Sequence, residues 1–128
     1  ALLTLQRVHF KYNSAELTDD SRAALVSART KLAGKAQVQL FVEGHADERG
    51  STEYNISLGE KRAIAVTNYL NALGVEGHRL HPVSFGEEKP LEVGHDNDAW
   101  AKNRRVDFRL MRGDVEVIVE PGRTVAMY

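Results

Sequence analysis

Hydrophobic and polar positions follow two periods along the chain, one of two residues and one of three to four. Alternation with a period of two predicts strands at residues 5–12, 37–43, 81–86 and 104–111. Helical spacing predicts one helix that starts at Thr18 and ends at Gly34, a second over residues 52–73, and a short one over 96–102. Helices and strands therefore alternate early in the chain, and strands gather late.

This order predicts an α/β (α+β) two-layer sandwich: a mixed sheet of four to five strands with two long helices and one short helix. We expect one domain over residues 1–112. Gly113 and Asp114 signal a turn, and Val115, Val117 and Val119 alternate beyond it. Residues 113–128 are therefore predicted to be a C-terminal extension made of a hairpin strand and a tail.

Composition removes several classes of function. The 128 residues carry 17 Lys and Arg against 18 Asp and Glu, a net charge of −1, which argues against a nucleic-acid clamp or a polybasic membrane-surface module. The absence of cysteine excludes disulfides, Cys-based zinc sites and thiol nucleophiles. No apolar run approaches the roughly 18–20 residues that span a bilayer. We expect a soluble domain, attached to a membrane only through an anchor that this chain lacks.

One cation lies in an apolar helix stripe. Arg62 is four residues after Leu58 and four before Val66, so the three share a helix face. Such an arginine either extends to the rim or pairs with an acid. Asp47, in the GHADERG loop before that helix, is its natural partner, and Glu48 competes for the role. Besides a structural salt bridge, such a pair could hold a zwitterion, with the carboxylate on the ammonium and the guanidinium on the carboxylate.

Other chemistries have weaker support from the sequence. Residues around His45 and Asp47, with His95, Asp96 and Asp98, match no strong metal-ligand spacing, so no metal or cofactor is predicted. Asp47 with Glu43 or Glu48 would be a hydrolase-type pair, but paired acids are common on surfaces. Phosphate-binding glycine loops and nucleophile motifs are absent from the sequence. Alternation sends Arg104 and Arg105 to opposite faces of their strand, one toward the Asp47 loop and one toward water, and Trp100 is interpreted as a core anchor.

Four ordered segments, GHADERG, EYNISLGEKRA, FGEEKP and GHDNDAWAKNRRV, resemble a known family. They are similar to the C-terminal peptidoglycan-binding domain of the outer membrane protein A (OmpA) family, and within it to the peptidoglycan-associated lipoproteins (Pal). The resemblance covers about residues 5–111. It implies an α/β sandwich that is not an enzyme and that holds peptidoglycan non-covalently through the meso-diaminopimelate of the stem peptide, a residue with a free zwitterionic end.

The resemblance also implies roles for individual residues. Asp47 would take the ammonium group and Arg62 the carboxylate. The remaining residues that match the family's binding site are Tyr12, Asn13, Ser14, Asn55, Leu58 and Arg104. The first three would line the pocket, and Asn55 and Leu58 would brace the loop and pack beneath the site. Arg104 would order either the Asp47 loop or the stem peptide. Asn13 stands where Pal usually has Asp.

The implied setting is the periplasm, in association with the outer membrane of a Gram-negative envelope. Anchoring that membrane to the cell wall is the function the resemblance favours. Two alternatives stay open: a protein-interaction module of the Tol–Pal type that binds TolB, and a wall anchor like MotB. A muropeptide would compete with TolB if both used the same surface.

Overall fold

The computed structural model describes residues 1–125, and helices and strands alternate through most of that range. In chain order the elements are β1 (Leu2–Gln6), β2 (Val8–His9), α1 (Asp19–Ala33), β3 (Gln39–His45), α2 (Thr52–Ala72), a 3-10 turn (Gly77–Arg79), β4 (Leu80–Gly86), α3 (Asn97–Asn103), β5 (Arg105–Arg112) and β6 (Glu116–Glu120). Within residues 1–125, no helix has both the length and the apolar character needed to cross a membrane.

The main sheet has four strands in the order β2-β5-β3-β4. β3 and β4 run parallel, while β5 runs antiparallel to both β2 and β3. The two long helices pack on this sheet around a core that includes Phe10, Val42, Ala63, Val66 and Val106, all of them fully buried. The predicted mixed-sheet α/β sandwich with two long helices and one short helix is confirmed.

Local signals fix where the long helices start and end. Thr18 caps α1 by accepting a hydrogen bond from the Ser21 backbone N–H, and Gly34 ends that helix. Ser51 caps α2 through the Tyr54 N–H, and Gly74 follows its end with a φ of 105°, a conformation that glycine adopts without strain. Both predicted helices are therefore confirmed to within a residue or two.

α2 lies directly against β3 at a pair of glycines. A Cβ atom built on Gly44 would sit 1.7 Å from the carbonyl oxygen of Gly59, and one on Gly59 would lie 2.3 Å from Ser84 Oγ. Only glycine leaves room for the two backbones at this distance. The contact holds the end of β3, and the loop that follows it, close to the Arg62 turn of α2.

The first and last strands differ from the prediction. The strand expected over residues 5–12 is divided at Arg7 into β1 and β2, and the backbone N–H of Arg7 donates to the Glu120 carbonyl at 3.0 Å. β6 does not form a hairpin with β5 but pairs in parallel with β1 in a separate two-stranded sheet. This pairing places Leu3 and Leu5, which are buried, beside Val117 and Val119. Burial of these apolar side chains favours the long-range pairing over the local hairpin.

Beyond β6 the chain continues toward the site described below. Gly122 packs so closely on Arg7 that a Cβ there would lie 2.0 Å from the Arg7 carbonyl oxygen. The Val125 carbonyl accepts a hydrogen bond of 2.7 Å from Arg104 Nη2. Residues 126–128 of the predicted extension lie outside the described range.

Candidate functional site

Asp47 is buried in the loop after β3, with 4% of its surface exposed. Its Oδ1 accepts hydrogen bonds from the Arg49 backbone N–H at 3.0 Å and from Arg49 Nε at 3.2 Å, and its Oδ2 accepts one from Arg49 Nη2 at 2.9 Å. Arg104 Nη1 approaches Oδ2 at 3.8 Å. In this structure the carboxylate is therefore paired with Arg49, and Arg104 is its second cation.

Arg62 is fully buried, and its hydrogen-bond partners are backbone carbonyls. Nε donates to Ser14 O at 2.8 Å, Nη1 to His45 O at 2.8 Å and Nη2 to Lys11 O at 3.1 Å. Arg62 thereby joins α2 to the end of β3 and to the loop after β2. Burial lowers the pKa of Arg62 to about 10, against the opposing effect of the nearby Asp47 charge, so the guanidinium stays cationic at neutral pH.

Asp47 and Arg62 do not form the direct ion pair that their spacing suggested. Arg49 is only two residues from Asp47, so its fork reaches both carboxylate oxygens without leaving the turn. Arg62 instead donates hydrogen bonds to three backbone carbonyl oxygens, those of Ser14, His45 and Lys11. The two residues are nevertheless neighbours, since they line one cavity.

That cavity has a volume of about 10 Å³. Its lining consists of Tyr12, Asn13, Ala46, Asp47, Arg49, Tyr54, Asn55, Leu58 and Arg62. A single water molecule needs roughly 10–15 Å³ measured in this way. The site therefore has no room for an amino-acid head group in the conformation described.

Six of the eight residues predicted for the site line the cavity, and the other two lie one contact away. Ser14 reaches it through the carbonyl that Arg62 Nε contacts. Arg104 reaches it through Asp47, and its Nε donates to Phe10 O at 2.8 Å. Asn13 has a φ of 55°, in the left-handed region that Asn tolerates better than most residues. Asn55 is buried and donates from Nδ2 to Glu87 Oε1 at 2.7 Å.

Arg49 belongs to the site but was not predicted from the sequence. Its guanidinium carbon lies 3.9 Å from the centre of the Tyr12 ring and 4.1 Å from the centre of the Trp100 ring. Hydrogen bonding to Asp47 raises the pKa of Arg49. Its position two residues after Asp47 was a usable signal for the salt bridge, but the two rings come from distant segments that only the fold brings together.

Two interpretations of neighbouring residues need correction. Trp100 is half-buried and packs on Arg49 rather than in the hydrophobic core, and its Nε1 donates to Glu48 Oε2 at 2.9 Å. Arg105 does not face water: it is buried and forms a 2.9 Å ion pair with Asp107. Alternation predicted that one of the two arginines faces the Asp47 loop without saying which, and that one is Arg104.

The carboxylates considered for other chemistries have partners of their own. Glu43 accepts a 2.7 Å hydrogen bond from Arg109 Nε, while Glu48 is bonded to His95 and Trp100. Hydrogen bonds from these two side chains lower the pKa of Glu48. Over residues 1–125, no three His, Asp or Glu side chains are grouped so that they could hold a metal ion.

The model of the OmpA family matches residues 9–104 of this chain. The chain belongs to this family. It is 43% identical over 109 residues, 85% of its length, to a peptidoglycan-associated lipoprotein of Pseudomonas aeruginosa, and it spans 64% of the length of that relative.

Solved structures agree with this assignment. The crystal structure of the peptidoglycan-associated lipoprotein from Burkholderia pseudomallei is 40% identical, with a TM-score of 0.79 over 82% of this chain and 89% of that chain. The C-terminal domain of Helicobacter pylori MotB has a TM-score of 0.78 over 83% of this chain and 84% of that chain. At 20% identity, MotB shares the fold alone.

Proposed function

We propose that this chain binds peptidoglycan non-covalently, through the meso-diaminopimelate of the stem peptide, and so links the outer membrane to the cell wall. The observation that carries the proposal is the single cavity lined by both the Asp47 carboxylate and the Arg62 guanidinium. The similarity to proteins named peptidoglycan-associated lipoproteins supports the ligand class. The proposed role is that of a binding module, not an enzyme, working in the periplasm at the outer membrane.

The two charged groups complement a zwitterionic end of the ligand. The Asp47 carboxylate accepts hydrogen bonds from the ligand's ammonium group. A guanidinium has five N–H groups, and Arg62 uses three of them on backbone carbonyls, so two stay available for the ligand's carboxylate. Each charge-assisted hydrogen bond contributes roughly 1.5–3 kcal/mol, before the costs of desolvation and ordering.

The remaining predicted residues support this pair. Tyr12, Asn13 and Ser14 form the loop that Arg62 holds through its carbonyls. Asn55 braces the opposite wall through Glu87, and Leu58 supplies an apolar part of the lining. Arg104 keeps the Asp47 loop in place from behind.

Calorimetric titration with two tripeptide stems tests the ligand. One stem ends in meso-diaminopimelate, and the other ends in lysine, which lacks the second amino-acid head group. We expect binding to the first and not to the second. Equal binding would mean that the site recognises another part of the stem. Absence of binding to either would reject the proposal, and TolB would then be tested as the partner.

A matched pair of variants tests the residue assignment. Asp47→Asn should weaken binding of the meso-diaminopimelate stem roughly 10- to 100-fold, because the neutral amide loses the charge-assisted bond. The control is Asp114→Asn, the same change in the exposed turn after β5. If both variants bind the stem with equal affinity and unfold at the same temperature as the unmodified chain, Asp47 is not part of the binding site.

A further inference from the structure

The cavity between Asp47 and Arg62 is small, and the Arg49 side chain lies on the Asp47 carboxylate within it. The cavity between Asp47 and Arg62 has a volume of about 10 Å³, far below what an amino-acid head group occupies. Asp47 and Arg62 are each less than 5% exposed and are held by surrounding structure. The Arg49 side chain, in contrast, is 26% exposed at the mouth of the same cavity. Tyr12 and Tyr54 also reach solvent, but Arg49 is the charged lining residue that does so, and its side chain lies directly on the Asp47 carboxylate.

Arg49 occupies the place where a ligand's cation would bind. Its guanidinium makes two hydrogen bonds to the Asp47 carboxylate, at 3.2 and 2.9 Å. It also lies between the Tyr12 and Trp100 rings, 3.9 and 4.1 Å from their centres. One carboxylate and two aromatic faces around a positive charge form a complete binding site for an organic cation. In this structure, the cation in that site is a side chain of the protein itself, the Arg49 guanidinium.

We propose that Arg49 is an internal competitor for the ammonium subsite and that it sets the specificity of the site. A ligand binds only by displacing the Arg49 guanidinium from Asp47 and from the two rings. The inference rests on the proposed function for the identity of the ligand. The binding of the Arg49 guanidinium to Asp47 and the two rings involves no peptidoglycan, so it can be tested without that ligand.

Competition of this kind selects against simple cations. A ligand with only an ammonium group replaces one charge on Asp47 with another and gains little. A zwitterion also gains a second interaction, between its carboxylate and the Arg62 guanidinium. The Arg49 side chain makes no such interaction, because Arg62 donates to backbone carbonyls. The site thus favours a zwitterionic head group over a free amine such as a lysine side chain. The apparent affinity equals the intrinsic affinity multiplied by the fraction of molecules in which Arg49 has left the subsite.

Calorimetry on Arg49→Ala measures the competition directly. We expect the variant to bind the meso-diaminopimelate stem roughly 3- to 10-fold more tightly than the unmodified chain, because no cation has to be displaced. The lysine-ended stem should gain detectable affinity, so discrimination between the two stems falls. The control, Arg112→Ala, makes the same charge change at the exposed end of β5 and should bind as the unmodified chain does. Unchanged or weaker binding by Arg49→Ala would overturn the inference and leave the proposed function standing.

A second measurement uses methylguanidinium as the probe and needs no peptidoglycan. Trp100 is the only tryptophan in the chain, so its fluorescence reports on the cation beside its ring. In Arg49→Ala, methylguanidinium should change the Trp100 emission until the site is saturated. It should have no such effect in the unmodified chain or in the double variant that carries both Asp47→Asn and Arg49→Ala. Equal responses in all three would overturn the inference. If only Arg49→Ala responds while no variant binds either stem, the proposed function fails and the internal cation site remains.

Discussion

Arg62 shows how a charged residue is kept inside an apolar core. It is fully buried, yet its hydrogen-bond partners are the carbonyl oxygens of Lys11, Ser14 and His45. Partial charges on carbonyl groups replace part of the lost hydration, and the Asp47 charge nearby favours the cationic form. The same three bonds hold the loop after β2 and the end of β3 beside the cavity, so one residue has a structural role and a proposed binding role.

Arg62→Lys should therefore lower stability as well as binding. A lysine ammonium is a point donor and does not reach three carbonyls that a planar fork spans. We expect the free energy of unfolding in urea to fall by about 2–4 kcal/mol, because buried carbonyls lose their partners. Arg112→Lys, an exposed change of the same type, should leave the unfolding midpoint in place. Coincident unfolding curves for the two variants would contradict this account of Arg62.

The packing of α2 on β3 sets the geometry of the site at the level of elements. Asp47 follows the end of β3 and Arg62 lies in α2, so their separation depends on how closely these elements approach. Gly44 and Gly59 form the point of closest contact. Each glycine lies three residues before a charged residue, Gly44 before Asp47 and Gly59 before Arg62. The close packing of the two glycines therefore helps to set the positions of the two charges.

Gly44→Ala tests this contact. Its methyl group would lie 1.7 Å from the Gly59 carbonyl oxygen, so α2 has to move away from the sheet. We expect a loss of at least about 2 kcal/mol in the free energy of unfolding. Affinity for the stem peptide should fall with it, since Arg62 moves with α2. Gly34→Ala is the control, because no atom lies within 4 Å of a Cβ there, and it should change stability by less than about 0.5 kcal/mol.

At the scale of the whole molecule, the two ends of the described chain join in one sheet. β6 pairs along the full length of β1, and Val115 and Val117 pack against the core. β6 and the segment after it lie beyond residues 9–104, the part of the chain that the family model matches. Through Val125, that segment also accepts a hydrogen bond from Arg104, which contacts Asp47. We propose that residues 113–125 are an integral part of this fold.

Neighbouring positions on β6 give a matched test of that proposal. Val117→Asp places a carboxylate against the core and should lower the free energy of unfolding by about 1–3 kcal/mol. Ile118→Asp makes a similar change on the exposed face of the same strand and should cost less than half as much. Thermal and urea unfolding of both variants provide the comparison. Equal, small effects would show that β6 contributes little to the folded domain.

The sequence by itself determined the parts that depend on near neighbours. Thr18 and Gly34 fix the ends of α1 through capping, and alternation around Val42 identifies β3, because these signals lie within a few residues. Arg62 was also found from sequence, since a cation within an apolar helix stripe is conspicuous. Asp47 was predicted either as its salt-bridge partner or as the other half of a zwitterion site. The two residues line one cavity, but they form no direct bond.

Tertiary structure decided the contacts between distant segments. β6 pairs with β1 rather than with β5 because burial of Leu3 and Leu5 outweighs the short loop that a hairpin needs, and periodicity carries no information on that choice. Arg49 lies between Tyr12 and Trp100, rings from opposite ends of the sequence that meet only when the sheet and α3 are assembled. Local spacing determines which residues share a face of one helix or strand. Long-range packing determines which cationic side chain lies beside Asp47 in the site.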